Sequence, residues 1–312
     1  MLDEVCERQH GVVTRGQAIA GGLTPGAIRS RLRSGKWRRL FAGVYATFTG
    51  PLPRSAQLWA VVLASGRGAV LSHQTAAELA GLIDDPASEI HVTLPADRSV
   101  VALPGVRHHL SVRAHTARHP TRLPPQTRVE DTVLDLTQSA RDAGQAVGWV
   151  VRACARRLTT VTRLRDAFAA RAKVRWRAHL AMALEDVASG CHSMLELRYL
   201  RDVERRHALP TAHRQAIRAR RGGRWYDDVH YKNYGTIVEL DGTKAHPDDA
   251  LGRDNRRDNA GVASGLDTLR YGPEDVSGRP CEMAAEIGTV LRGKGWRGYP
   301  RSCGPACVIT GE

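Results

Sequence analysis

The stretch TIVELDGTKAHPDD, Thr236 to Asp249, decides how the chain is read. Its first five residues form a β-like run that carries an acid, Glu239, among apolar neighbours. Asp241 follows two positions later. Strand side chains alternate faces, so Glu239 and Asp241 point the same way. Like charges side by side at a strand end repel unless a positive group lies between them. Asp241-Gly242 is also a common turn dipeptide, which gives Asp241 a backbone reason to be there.

Outward from that stretch, six segments follow one another between residues 190 and 297. Ser193–Arg206, Trp225–Tyr231, Thr236–Leu240, Ala250–Ser264, Asp267–Tyr271 and Arg279–Arg292 read as helix, strand, strand, helix, strand, helix. A hairpin flanked by helices and followed by a further strand predicts an α/β sandwich. Asp228 ends or bends the first strand, and Glu196 lies on the first helix. Two adjacent strands bring Asp228 to Glu239, and the helix lowers Glu196 onto them. A buried group of carboxylates is costly without a cation. A hard divalent ion held by oxygens, Mg²⁺ or Mn²⁺, relieves the repulsion, and beside a phosphate it polarises the ester and generates hydroxide from water. Plainer readings stand beside this one. Ser193-x-x-Glu196 has the spacing of a capping box, which spacing alone prefers, and Asp227-Asp228 fits a turn.

The rest of the chain is basic. Among 312 residues, 46 are Lys or Arg and 32 are Asp or Glu, for a net charge of +14. Such a surplus points to a polyanionic partner, nucleic acid before an anionic membrane. A coding bias toward Arg is the bland alternative. Distribution decides: from Arg8 to Ala77 no Asp or Glu occurs, while ten Arg or Lys do. A localised surplus fits a surface facing phosphates. Within residues 1–85, Thr14 is positioned to cap a helix through Ala20, which Gly21-Gly22 breaks. Thr24-Pro25 is a strong start signal for a second helix to about Ser34. There Ile28 and Leu32 face the core, with Arg29, Arg31 and Arg33 on other faces. Trp37 to Tyr45 reads as a tight β-hairpin carrying Arg39, preceded by Lys36. Helix, turn, basic helix and basic hairpin outline a winged helix-turn-helix that binds duplex DNA. The competing reading is a surface helix with solvated arginines; agreement of charge with element order prefers the first.

Residues 86–189 are mixed, with strands at Glu89–Leu94 and Val106–Val112 and Arg-rich helices from Thr132 onward. His108, His109, His115 and His119 cluster around the second strand. With no acid or cysteine near in sequence, exposed strand and loop histidines are preferred to a metal site. Six cysteines, at 6, 154, 191, 281, 303 and 307, include no CxxC pair. That argues against a disulfide framework or a zinc ribbon and for a reduced, cytoplasmic setting. Cys303-x3-Cys307 lies in a Gly/Pro-rich end and reads as part of a flexible tail, 298–312. The start, Leu2-Asp-Glu-Val-Cys-Glu, lacks the features of a signal peptide, and the apolar run Leu58–Ala64 is too short to span a bilayer.

Two resemblances add to this reading. Ser193-x-Leu-Glu196, Asp228-x-x-Tyr231, Val238-Glu-x-Asp-Gly-x3-His246, Arg253-Asp-x-x-Arg-Asp258 and Leu269-Arg-Tyr with Asp275-Val recur in order. Residues 190–292 thereby resemble the very-short-patch-repair-like (Vsr-like) endonucleases of the PD-(D/E)XK superfamily. Arg31-Leu-x-Ser-Gly-x-Trp-x-Arg-Leu-x-x-Gly-Val-Tyr and Ser72-His-x-Thr-Ala-Ala-x-Leu-x-Gly-Leu make the N-terminal part, to about residue 138, resemble winged-helix antitoxins of type IV (AbiEi-like) toxin–antitoxin systems. The first resemblance implies that Asp228 and Glu239 bind Mg²⁺ or Mn²⁺ with Glu196 in support. Asp241 takes the place where the superfamily has the Lys of Glu-x-Lys, which normally orients water and offsets transition-state charge. Lys244 and His246 lie close enough in sequence to substitute, His246 with the pKa range of a general base or acid. Arg253, Arg256 and Arg257 would grip phosphates, although Asp254 and Asp258 also allow an internal ion-pair network.

The expectation is an α+β multidomain, bacterial protein: a winged helix-turn-helix over 1–85, a mixed middle over 86–189, a restriction-endonuclease-like α/β sandwich over 190–297, and the tail. As a function it implies DNA binding with Mg²⁺-dependent cleavage of phosphodiesters. The rival is a non-enzymatic DNA-binding regulator or antitoxin whose nuclease-type domain is a degenerate scaffold. An RNA-acting nuclease is a third option. The antitoxin resemblance implies a nucleotidyltransferase toxin as partner.

Overall fold

Two threonines start the N-terminal helices. Thr14 Oγ1 accepts from the Gln17 amide at 3.1 Å, and the Gln17 side chain accepts from Thr14 N at 2.8 Å, closing a capping box on helix Arg15–Ala20. Thr24 Oγ1 accepts from the Ala27 amide at 3.1 Å, and Pro25 occupies the first position of helix Pro25–Arg33. Ile28 on that helix is buried against Val13, Ala18, Trp37 and Tyr45, with Leu32 partly buried beside them. Strands β1 (Val12–Thr14), β2 (Arg38–Phe41) and β3 (Val44–Ala46) form an antiparallel sheet in the order β1-β3-β2. The β2–β3 turn has Gly43 at φ +69° as its second central residue, a left-handed position that glycine takes without strain.

The computed structural model describes residues 2–191, 193–220, 223–240 and 266–310. The chain divides into two compact units, Met1–Trp149 with Arg156–Arg177, and Val150–Ala155 with Ala178–Glu312. The architecture is mixed α+β, with three sheets among the described residues. No described helix is long and apolar enough to cross a membrane.

In the first unit, a second sheet follows the first. β4 (Val70–Leu71) pairs antiparallel with β5 (Ile90–Pro95), which pairs parallel with β6 (Val106–Ser111). Helix Arg54–Ser65 buries Leu58, Val61 and Val62 against this sheet through Leu71, Val92 and Leu94. Each such side chain contributes about 1.5–3 kcal/mol on burial. That core joins residues on both sides of position 85, so the first unit groups stretches that the sequence reading treats apart.

In the second unit, four strands form one mixed sheet in the order β7-β8-β9-β10: β7 (His213–Arg220), β8 (Gly223–Tyr231), β9 (Thr236–Leu240) and β10 (Asp267–Tyr271). β7–β8 and β8–β9 are antiparallel, and β9–β10 is parallel. All five residues of β9 are buried, including Glu239, as expected of a strand covered on both faces. The first predicted helix is split: Met194–Arg198 runs into a π-helical turn, Tyr199–Arg205. Helix Pro280–Gly293 buries Met283, Ile287 and Leu291 in the same core as Tyr199, Val229 and Val238. Residues after 297, read from sequence as a flexible tail, make specific contacts: Arg301 N donates to His207 O at 2.8 Å, and Ile309 packs on this core.

Candidate functional site

The cations of the first unit are laid out by helix and hairpin geometry. Arg29 and Arg33 are four residues apart on helix Pro25–Arg33 and exposed, as are Lys36 and Arg39. Arg31 is half-buried because its guanidinium lies over the Trp37 ring, 5.6 Å from the centroid. Arg38 donates to the Gly50 carbonyl at 3.4 Å. No acid stands between residues 8 and 77. Where the sequence does provide an acid, an arginine finds it: Arg54 is 2.7 Å from Glu78.

In the second unit, β8 and β9 bring two of the expected acids together. The register Val229↔Val238, continued by one residue, sets Asp228 opposite Glu239 on one face. Asp228 Oδ2 accepts from the Leu240 amide at 2.9 Å, tying the two strands where they part. Glu239 has a cation of its own: Arg270, its register partner on β10, donates from Nε to Oε2 at 3.1 Å. That pair answers part of the repulsion posed by the sequence without an ion. Glu196 is buried, and its amide donates to Ser193 Oγ at 3.0 Å, so the predicted cap is made. The three carboxylates are not a set whose oxygens all lie within 4.8 Å of one another among the described residues. Asp241, Lys244, His246, Arg253 and Arg257 lie outside the described residues.

Farther into the core, the second unit holds an ion pair that sequence reading missed. Glu204 and Arg214 meet at 2.6 Å with both side chains 4% exposed. Burial pushes the Glu204 carboxyl up, and the Arg214 guanidinium opposes it. Nothing at the level of spacing links these residues, since one lies on the π-helical turn and the other on β7.

One histidine expectation is corrected. His109 is half-buried rather than an exposed strand residue, because the parallel β5–β6 register puts it on the same face as His91. His91 Nδ1 and His109 Nε2 are 3.0 Å apart, and the His73 ring stacks on His109 at 3.7 Å between centroids. His73 and His91 were invisible as partners in sequence, being 36 and 18 residues from His109. Burial lowers the His73 pKa to about 3, helped by His109, His91 and Arg171, and that of His109 to about 4, helped by His91 and Arg107. These rings are neutral near pH 7 and face a cavity of about 200 Å³ that Asp135 and Arg171 also line. The imidazole–imidazole hydrogen bond occupies one of the lone pairs that a metal would need, and Arg171 adds positive charge. His108 and His119 are half-buried as well, His108 bonding Ser65 Oγ at 3.2 Å and His119 Nδ1 accepting from the Arg122 amide at 3.1 Å, so of the four only His115 is exposed.

No curated protein matches the chain. Residues 1–47, which hold both capped helices, the basic row and the β2–β3 hairpin, match the family model described as a transcriptional regulator, AbiEi antitoxin.

Proposed function

We propose that the protein is a DNA-binding transcriptional regulator of the antitoxin kind, with residues 1–85 acting as a winged helix-turn-helix. One observation carries the reading: Arg29, Arg33, Lys36 and Arg39 are exposed on one helix and the hairpin after it, in a stretch without acids. In this reading helix Pro25–Arg33 enters the major groove and the β2–β3 hairpin rests on the phosphate backbone. Arg31, propped on Trp37, contacts an adjacent phosphate. The match of residues 1–47 supports the assignment and suggests a toxin as partner, for which a nucleotidyltransferase is our choice. The test is fluorescence anisotropy of the full chain on a labelled duplex at several salt concentrations. Each phosphate contact steepens the log–log salt dependence by about 0.9. Affinity indifferent to salt and to the Arg29→Gln/Arg33→Gln pair would sink the proposal.

A second reading rests on the placement of Asp228, within β8, opposite Glu239 near the end of β9. Here residues 190–297 are a restriction-endonuclease-like domain in which these acids, with Glu196, hold Mg²⁺ or Mn²⁺. Such an ion would polarise a phosphodiester and lower the pKa of water. Asp228 and Glu239 offer hard oxygen donors that suit it, while Arg270 already compensates Glu239. Lys244 and His246 stand in for the Lys displaced by Asp241, and Arg253 and Arg257 hold phosphates. Under this reading Mn²⁺ raises the melting temperature of the full chain. Binding only the folded state at ~100 times the dissociation constant adds ~2.7 kcal/mol. Asp228→Asn should diminish that shift together with nicking of plasmid DNA. A melting point unmoved by millimolar Mn²⁺ removes the nuclease and leaves the regulator.

A further inference from the structure

The cysteines that the sequence scatters are gathered by the second unit. Cys281 is the second residue of helix Pro280–Gly293, and Cys303 and Cys307 lie in the segment after it. With His207, which follows the π-helical turn, they form a group whose four donor atoms all lie within 4.8 Å of one another. Cys281 Sγ and Cys303 Sγ are 3.5 Å apart, and all six cysteines are free thiols. The edge of a tetrahedron with ~2.3 Å metal–sulfur bonds is about 3.8 Å, whereas bonded sulfurs stand ~2.05 Å apart.

His207 supplies an independent observation. It is wholly buried, and its Nδ1 faces the Arg301 carbonyl oxygen at 2.8 Å. A carbonyl only accepts, so the ring proton sits on Nδ1 and Nε2 presents a lone pair. Nε2 is buried without a hydrogen-bond partner. An unsatisfied buried acceptor costs free energy, and protonating it would only leave a buried N–H without an acceptor. An electron-pair acceptor placed among the three sulfurs satisfies it. A metal-bound histidine commonly donates its other N–H to a backbone carbonyl in this way.

We propose that His207 Nε2 and the thiolates of Cys281, Cys303 and Cys307 bind one Zn²⁺ ion. Three thiolates and one imidazole are the donors that favour Zn²⁺ over the hard cations Mg²⁺ and Ca²⁺. Four protein ligands fill a tetrahedron and leave no open position for substrate, so the ion is structural. Binding releases the thiol protons, and three thiolates around Zn²⁺ leave one net negative charge. The Arg206 guanidinium beside Cys303 offsets it. The ion staples the C-terminal segment to the core. Two features prepare the staple: the hydrogen bonds between His207 and Arg301 run both ways, and Gly288 leaves room for Pro300, with which a Cβ there would collide.

The experiment uses the full chain, produced with zinc under reducing conditions and dialysed. Elemental analysis should find about one zinc per chain. Chain reloaded with Co²⁺ should show thiolate-to-metal charge transfer and intense tetrahedral ligand-field bands. Cys303→Ser/Cys307→Ser should lose the zinc, while Cys6→Ser and His109→Gln keep it. The proposal is overturned by a parent chain with far less than one zinc, or by zinc that survives in the double variant. It is also overturned by a Cys281–Cys303 disulfide in peptide mapping of the reduced-purified chain. Should the double variant not fold, the cobalt spectrum of the parent still decides, because weak octahedral bands exclude a three-sulfur site.

Discussion

In the first unit, helix Pro25–Arg33 and the hairpin after it hold arginines that meet no carboxylate among the described residues. In the second, Arg214 lies 2.6 Å from Glu204, Arg201 and Arg205 both reach Asp186, and Arg270 meets Glu239. The same side chain serves two ends. Where acids are interspersed, arginine is consumed internally and becomes part of the fold. Where a window of sequence has none, its charge stays outward and available to a polyanion. The net charge of +14 therefore says less than the place where the surplus is left unpaired.

The comparison breaks most visibly if the buried arginine proves dispensable. Arg214→Met strands the Glu204 carboxylate in the core and should cost about 3–5 kcal/mol. Denaturant unfolding measures this, and adding Glu204→Leu should recover much of the loss. A loss no larger than that of an exposed arginine would mean that the two regions do not differ as described. The converse substitution, Arg29→Gln with Arg33→Gln, should leave the melting temperature unmoved. It should weaken duplex binding and flatten the log–log salt slope by ~1.8, about 0.9 for each phosphate no longer neutralised.

A smaller effect is expected where β8 leaves β9. Asp228→Ala removes the acceptor of the Leu240 amide and should destabilise the metal-free chain by about 1 kcal/mol. Asp228→Asn keeps an acceptor oxygen and should cost less. Melts in EDTA separate the two, and equal melting points would mean that the Leu240 bond carries no weight.

The smallest effect near neutral pH concerns His73 and His109. Their folded pKa values, about 3 and about 4, lie below the ordinary 6.5. The unfolded chain therefore takes up protons first as pH falls. Stability is fully present above pH 6.5 and is lost progressively from there down toward pH 4 and 3. Melting temperatures between pH 7.5 and 4.5 should fall, and His109→Gln should make the fall shallower.

Much of the fold was legible because it is local. Thr14, Thr24 and Pro25 specify helix starts by hydrogen bonds within three residues, and Gly43 supplies the positive φ of a two-residue turn. Thr236–Leu240 carries the β-branched and apolar content of a buried strand, Asp267–Tyr271 that of a partly buried one, and both appear with the expected bounds. β7 was missed because His213-Arg-Gln-Ala-Ile-Arg-Ala-Arg220 has neither alternation nor an apolar run; its place at the sheet edge, beside β8 alone among the described strands, asks for neither. Of the candidate acidic site, the hairpin made the meeting of Asp228 and Glu239 foreseeable. The cation beside Glu239 was not, because Arg270 arrives on a parallel strand that requires a crossover, and crossover partners leave no spacing signal.

By itself, the sequence determined where helices begin, where the tight turns fall and where positive charge goes unopposed. These depend on neighbours three or four residues away, or on counting charges along the chain. Only the tertiary structure decided which distant side chains share an environment: Glu204 with Arg214, His73 with His91 and His109, and His207 with Cys281, Cys303 and Cys307. A hydrogen bond or a ligand set is made within a few ångströms. Chain separations of 10 to 100 residues are closed by sheet register and by the burial of apolar faces, and no periodicity along the chain records them.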